Sequence, residues 1–356
     1  MKLYVLKRLL LIPLTLLLIM ALNFALVQMA PGGPVERMML RAANTESAMA
    51  NRISGTTGET LQSDYQGAQG LDEQFIQELK KQFGFDKPPL QRFALMVRNY
   101  AVFDFGQSFY TNEPVTGLII SKLPVSIALG AGSTLLIYLI AIPLGIAKAV
   151  KNGSRFDRYS SLAVVTAYAV PSFLVAIFLI TIFAGGSYLS WFPLRGLTSY
   201  GFDEMPLWGK VKDVLWHMAL PVISLTMGGL ASLTMLTKNS FLEEMNKAYV
   251  LTARAKGASQ PRILLGHIFR NAMLIVIAGF PAVLVGMLFT GSVLIEVMFS
   301  LDGIGLLGFT AVTTRDYPVM FGTLYIFTLI GLVLNLVSDI IYHLVDPRID
   351  FSEARR

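Results

Sequence analysis

The sequence predicts an all-α polytopic membrane protein with six transmembrane helices. Hydrophobic residues make up 54% of its 356 residues and charged residues only 15%. Six stretches are free of charge over a membrane-spanning length, and the basic residues between them fall mainly on alternate sides. A helix needs roughly 20 apolar residues to cross about 30 Å of hydrocarbon. It also satisfies its own backbone polar groups, which lipid cannot do.

Charge is absent between Arg8 and Glu36, Lys122 and Lys148, Arg158 and Arg195, Asp213 and Lys238, Arg270 and Glu296, and Asp316 and Asp339. If the N-terminus is cytoplasmic, the inner segments hold 16 basic and 6 acidic residues, and the outer segments 13 basic and 16 acidic. The excess of Lys and Arg on one side places both termini inside. The net charge of +6 therefore reflects topology rather than a nucleic-acid surface. Cysteine is absent, which excludes disulfides and thiolate metal sites.

Lys7 and Arg8 precede a first apolar segment longer than a signal-peptide core, which reads as a retained helix. Pro31, Gly32, Gly33 and Pro34 stop it. In the long external segment that follows, residues 42–70 are rich in Ala, Ser, Thr, Gly and Asn without a period, which predicts a loosely packed insertion. Leu71, Phe75, Leu79 and Phe83 recur at helical spacing, and Leu90 to Tyr100 forms another short amphipathic run. This segment is either a cap on the bundle or a docking surface for an external partner.

The second and third spans contain prolines and small residues, which permit bending and close helix contact. Trp191, Tyr200 and Trp208, with Trp216 nearby, suit an interfacial connector over residues 186–215. The fourth span is expected to end near Leu236. After it, a helix from about Ser240 to Lys256 presents Leu242, Met245, Tyr249 and Ala253 on one face. Gly257 ends that helix, because glycine tolerates positive φ. Ser259 caps a second helix, whose early Pro261 falls where amides are unpaired.

This basic connector, residues 249–271, has three readings. It is a loop that satisfies the charge bias, a docking helix with Ala253, Ala255 and Ala258 exposed for close approach, or a nucleic-acid helix-turn-helix. The last fails because both neighbours are committed to the membrane.

Beyond the fifth span, Gly303, Gly305 and Gly308 lack the spacing and βαβ context of a dinucleotide site and predict a turn or re-entrant excursion. The last span carries Asn335 and Asp339, which face either a polar path or interface within the bundle or the headgroup region. His217, His267 and His343 lie far apart, and no HExxH, GxSxG or Walker A motif occurs. No cofactor site is expected on this chain, and if transport is energised by ATP, another polypeptide must bind it. A membrane scaffold or assembly protein and an ion-coupled secondary transporter remain open at this point.

The passage YVLTARAKGASQPRILLGHIFRNAM resembles the cytoplasmic coupling loop of ATP-binding-cassette importer permeases. TARAKG, eleven residues, then FRNA resembles the dipeptide and oligopeptide branch, although Thr252-Ala253-Arg254 stands where the loop's Glu-Ala-Ala name comes from. LKRLLLIPLTLLLI, APGGP, FGFDKPPLQRF, DFGQSF, RDYPVMFGTLYIF and NLVSDIIYHLVDPRI extend the resemblance in order over nearly the whole chain. The insertion at 42–70 and YQGAQGLD resemble the subfamily that imports peptides and the peptide-nucleotide antibiotic microcin C.

That resemblance implies a first helix over 1–30, a periplasmic segment over 31–117, a five-helix core over 118–345 with a coupling loop at 238–271, and a cytoplasmic tail over 346–356. It also implies a bacterial inner-membrane location and several partners: a second homologous permease, two ATP-binding subunits using ATP and Mg, a periplasmic peptide-binding protein and a peptide substrate. Tyr249, Ala253, Arg254, Lys256, Gly257 and Arg262 are the implied coupling residues. The basic ones can equally contact lipid phosphate.

Overall fold

The computed structural model describes residues 2–29, 87–185, 188–289 and 293–345. The expected stop at Pro31–Pro34, the insertion at 42–70, the helix over 71–83 and the tail lie outside them. The described elements are helical: α1 (Lys2–Met29), α2 (Pro89–Ala101), α3 (Val115–Val150), α4 (Arg155–Ala169), α5 (Ser172–Phe183), α6 (Leu207–Met245), α7 (Ala248–Ala255), α8 (Gln260–Ile263), α9 (Phe269–Phe289), α10 (Val293–Met298), α11 (Ile304–Thr314) and α12 (Tyr317–Val345). A π-helical turn, Leu264–Ile268, joins α8 to α9. Five described helices are long and apolar enough to cross a membrane, and six spans result if α4 and α5 count as one.

That pair shows the bending that proline permits in the third span, since α5 turns away from α4 by 96°. The cause is local. Val170 is extended (φ −85°, ψ 122°) ahead of Pro171, whose ring disfavours a helical preceding residue and whose nitrogen has no hydrogen to donate.

The described residues fall into two compact units, one drawn from Met1–Leu9, Ile119–Phe309 and Phe327–Arg356, the other from Leu10–Leu118 and Thr310–Ile326. In the first, α6 is the central helix, packing against α4, α5 and α9. Its seam with α3 is made by glycines. A Cβ on Gly132 would stand 3.0 Å from Val222, one on Gly229 2.4 Å from Ile137, and one on Gly145 2.6 Å from Thr237 Cβ and 2.8 Å from the Thr234 carbonyl. Small residues let helix backbones approach where no hydrophobic difference between lipid and side chain drives association.

Gly145 is the least forgiving of the three, because a backbone oxygen cannot swing aside as the end of Ile137 can. Gly145→Ala is expected to destabilise the subunit by about 1–3 kcal/mol, as overpacking does. The midpoint of thermal unfolding in detergent checks this.

A polar knot of this unit lies at α10. Glu296, 1% exposed, accepts from the Leu306 amide at 2.6 Å and from Ser126 Oγ at 3.4 Å, and Ser126 Oγ in turn accepts from the Ile304 amide at 2.9 Å. The carboxylate sits at the N-terminus of α11, where unpaired amides and the helix dipole favour an anion. A Cβ on Gly303 would be 2.5 Å from the Glu296 carboxyl carbon, and one on Gly305 3.2 Å from its oxygens. Of the three glycines the sequence assigns to a turn, Gly303 and Gly305 are thus required by the close approach of this buried acid, whereas a Cβ on Gly308 would meet nothing within 4 Å.

In the second unit, Leu16 and Met20 of α1 are buried, and Phe24 packs on Phe93 with ring centroids 5.4 Å apart. Helix α2 confirms the short amphipathic run ending at Tyr100, which packs edge-on to Phe105 at 4.8 Å and to Tyr325 at 5.5 Å. The turn after Phe105 folds back through Gly106 (φ 78°) and Asn112 (φ 56°), with Gln107 bridging to Pro114. It is pinned to the start of α12 by buried Asp316, which accepts from Ser108 Oγ at 2.6 Å and from the Phe109 amide at 3.3 Å. DFGQSF and RDYPV, far apart in sequence, are one clamp.

Candidate functional site

The connector begins later than its sequence suggests. Helix α6 does not end near Leu236 but runs to Met245, so the expected helix from Ser240 to Lys256 is two helices. The break is at Asn246, whose side-chain amide donates to the Leu242 carbonyl at 3.0 Å, and at Lys247, which is extended (φ −74°, ψ 150°). Helix α7 then turns back toward the bundle.

The inner face of α7 is fixed by packing. Val250, 0% exposed, joins a buried cluster with Phe241, Ile263, Ile268, Ala272 and Val276. Leu242, Met245, Tyr249 and Ala253 pack against the same cluster, as their spacing predicts. Tyr249 donates its hydroxyl to Glu244 at 2.6 Å. Burial, and then the neighbouring Glu244 carboxylate, raise the phenol above its ordinary value, so it stays a donor at neutral pH. Ser240 Oγ donates to the Ala272 carbonyl at 2.7 Å, which ties the two ends of the connector together.

Gly257 ends α7 as its position predicts, with φ 78°. Its amide donates to the Arg254 carbonyl at 2.9 Å and the Ala258 amide to the Ala253 carbonyl at 3.1 Å, the paired bonds of a Schellman turn. Ser259 is extended at the start of α8, with Pro261 in the first turn, but its side chain makes no capping bond. The Ile263 amide donates to the Ser259 carbonyl at 3.0 Å, the first hydrogen bond within the helix. The π-helical turn that follows carries one residue more per hydrogen-bonded loop than an α-helix, a feature frequent at functional sites.

The outer face is different in kind. Arg254, Ala255, Lys256, Gly257 and Arg262 are exposed, and Leu251, 63% exposed, stands among the cations one helical turn before Arg254 and Ala255. Ala253 and Ala258, expected to be exposed, are partly buried against the core cluster, because the turn folds them inward. Of the small residues, Ala255 alone keeps the exposed role. Leu251 escaped the sequence reading because only the packing of Val250 shows which way α7 faces.

The other candidate residues lie on α12. Asn335 is exposed, whereas Asp339 is paired with Arg8 Nη2 at 3.1 Å and accepts from Tyr4 at 3.0 Å. Among the described residues, no three His, Asp or Glu side chains are grouped as metal ligands.

A further cluster was not singled out in the sequence. Lys148 is 0% exposed and donates to the Asp157 carbonyl at 2.9 Å, Ser160 Oγ at 3.0 Å and Ser161 Oγ at 2.6 Å, with Asp157 Oδ1 at 3.1 Å. Lys238 reaches the same carboxylate from α6 at 2.8 Å. The only trace of this in the sequence is one acid, Asp157, in a run of basic residues from Lys148 to Arg158.

Comparison with known proteins agrees with this arrangement. Residues 141–351, which include the connector and this cluster, match the family described as "Binding-protein-dependent transport system inner membrane component". The chain is 56% identical to the inner membrane ABC transporter permease protein YejB of Escherichia coli O157:H7, over 98% of this chain and 99% of that protein. It is 53% identical to the peptidoglycan transport system permease protein YejB of Agrobacterium fabrum, over 98% of each chain. It is 31% identical to the oligopeptide transport system permease protein AppB of Bacillus subtilis, over 98% and 99%. Among solved structures, the inward-facing MetNI methionine ABC transporter superposes with a TM-score of 0.50 at 18% identity, over 65% of this chain and 98% of that one, a likeness of fold. The chain belongs to the family of binding-protein-dependent transport system inner membrane components and is a non-catalytic permease subunit of an ABC transporter.

Proposed function

We propose that this chain is one of two homologous permease subunits of an ATP-driven peptide importer, with both its termini on the cytoplasmic face of a bacterial inner membrane. The observation that carries this reading is the connector: one face of α7 is locked into the bundle at Val250, and the other offers Leu251 among cations to a partner. Such an element passes a push from outside into the membrane helices with little loss, since a packed core is bistable rather than continuously deformable. In this reading residues 238–271 are cytoplasmic and meet one of two ATP-binding subunits, which hold the ATP and magnesium. Residues 31–117 are periplasmic and face a peptide-binding protein.

Within the connector, Tyr249 and Ala253 hold α7 to the bundle, Gly257 sets the turn, and Arg254, Lys256 and Arg262 contact the ATPase. Asn335 and Asp339 are assigned to the translocation path or an interface. The pairing of Asp339 with Arg8 and Tyr4 favours an interface between α12 and the start of α1. The relatives named for oligopeptide and peptidoglycan transport support peptide-containing cargo. The subfamily resemblance in the 42–70 insertion extends that cargo to peptide-nucleotide conjugates such as microcin C.

The test is uptake of labelled oligo-alanines and of microcin C into vesicles holding the whole complex and its binding protein. Accumulation is expected only with hydrolysable ATP. Accumulation driven by an ion gradient alone points to a secondary transporter, and none with all partners present points to a scaffold.

A further inference from the structure

We infer that Asp157 is a positioning residue that locks the connector-bearing helix to the turn between α3 and α4, so that a displacement of the connector moves α3, α4 and α6 as one body. The inference rests on the connector's role as the contact with the ATPase.

Three observations carry it. First, α6 enters the connector directly: only Asn246 and Lys247 separate it from α7, and Lys238 lies seven residues before its end at Met245, about 10 Å along the axis. Secondly, Asp157 is shared. Lys238 of α6 donates to both its oxygens at 2.8 and 2.9 Å, Lys148 of α3 lies 3.1 Å from Oδ1, and the Gly153 amide of the α3–α4 turn donates to Oδ2 at 3.1 Å. Thirdly, the roles of the two lysines differ. Lys148 already has the Asp157 carbonyl and the hydroxyls of Ser160 and Ser161, so it is held within α3 and α4 whatever α6 does. Lys238 is the member that brings α6 in.

Beside this cluster, the Gly145 contact with Thr234 and Thr237 sets how closely α3 and α6 approach. The ion pair at Lys238, on the residue after Thr237, adds a polar contact that opposes rotation of α6 about its own axis. Charges taken out of water interact strongly and only in well-matched geometry, which suits a lock between helices better than an apolar contact that can slide.

Lys238→Met separates this role from simple stability, because it leaves Asp157 paired with Lys148. The chain has no cysteine, so spin labels can be placed at Tyr159→Cys on α4 and Glu243→Cys beyond the lock on α6, both exposed. These are incorporated into the full complex with cysteine-free partner subunits. In the otherwise unaltered chain, one narrow distance distribution is expected, unchanged between nucleotide-free and ATP-analogue-bound states. In Lys238→Met the distribution should broaden, or shift between those states by about 2 Å, the scale of helix displacements in switching proteins. ATP hydrolysis should persist while oligo-alanine uptake per ATP falls about tenfold, within the usual range of coupling free energies. Lys238→Arg should restore the narrow distribution.

Unaltered distances and coupling in Lys238→Met overturn the inference, as does a proportional loss of hydrolysis and uptake. If Lys238→Met does not assemble, Asp157→Glu serves in its place, with the carboxylate displaced by one methylene; distances like those of the unaltered chain then overturn the inference. Failure of ATP-binding subunits to co-purify with the unaltered chain overturns the ATPase reading itself and is seen before any variant is made.

Discussion

Asp157→Ala is expected to destabilise the subunit by about 3–5 kcal/mol, the loss typical when one partner of a buried ion pair is removed. Among the described residues, the carboxylate is the only acidic group placed against Lys148, which is 0% exposed, and against Lys238. Without it, Lys148 keeps three neutral oxygens but no opposing charge. The unfolding midpoint in detergent should fall by about 5 °C or more, with lower membrane yield. Removing all three charges together, as Asp157→Ala with Lys148→Met and Lys238→Met, should recover much of the loss, because the cost comes from the unpaired charge and not from a missing attraction. An Asp157→Ala subunit with the midpoint of the unaltered chain would show that the cluster is more hydrated than its burial indicates.

Gly257→Leu acts on function with little effect on the fold. A Cβ at Gly257 meets nothing within 4 Å, so sterics against neighbours are not the cost. The backbone is: φ is 78°, a conformation that disfavours a branched side chain by about 1–2 kcal/mol. The helix end relieves that strain by abandoning the paired bonds to Arg254 and Ala253, and the direction in which α8 leaves α7 changes with them. Membrane insertion should be normal, while ATPase association and peptide uptake fall about tenfold or more, as expected for the loss of one to three kcal/mol of coupling. Gly257→Asn, which tolerates positive φ, should retain most of both. Co-purification of the ATP-binding subunits, measured beside uptake, distinguishes a docking defect from a folding defect.

The membrane spans and the turn at Gly257 were legible in the sequence because both rest on local physics: uninterrupted apolar length, and a residue whose backbone needs a particular conformation. On the inner face of α7, Tyr249 was legible from its helical spacing, whereas Leu242 and Met245, which the sequence places on the same helix, belong to α6. The direction of Ala253 and Ala258 was not legible, because it depends on how far the chain folds back onto Ile263 and Phe241. The 96° bend at Pro171 was visible as a proline but not as an angle, since prolines within α3 and α6 leave those helices continuous. The buried acids were the least legible. Asp157 meets Lys238 across 81 residues and Glu296 meets Ser126 across 170, and no periodicity links positions so far apart. What the sequence does show is an acid in a basic run, or an acid beside an apolar span, and either is worth following to its partner.

The most direct test of the central claim is the accessibility of a single cysteine placed at Ala255, the small exposed residue on the outer face of α7. In membranes containing the permease pair alone, Ala255→Cys should react with a membrane-impermeant maleimide only from the cytoplasmic side. In the full complex it should be protected from that reagent and should cross-link to an ATP-binding subunit. Equal labelling with and without the ATP-binding subunits, and no cross-link to them, would contradict the account.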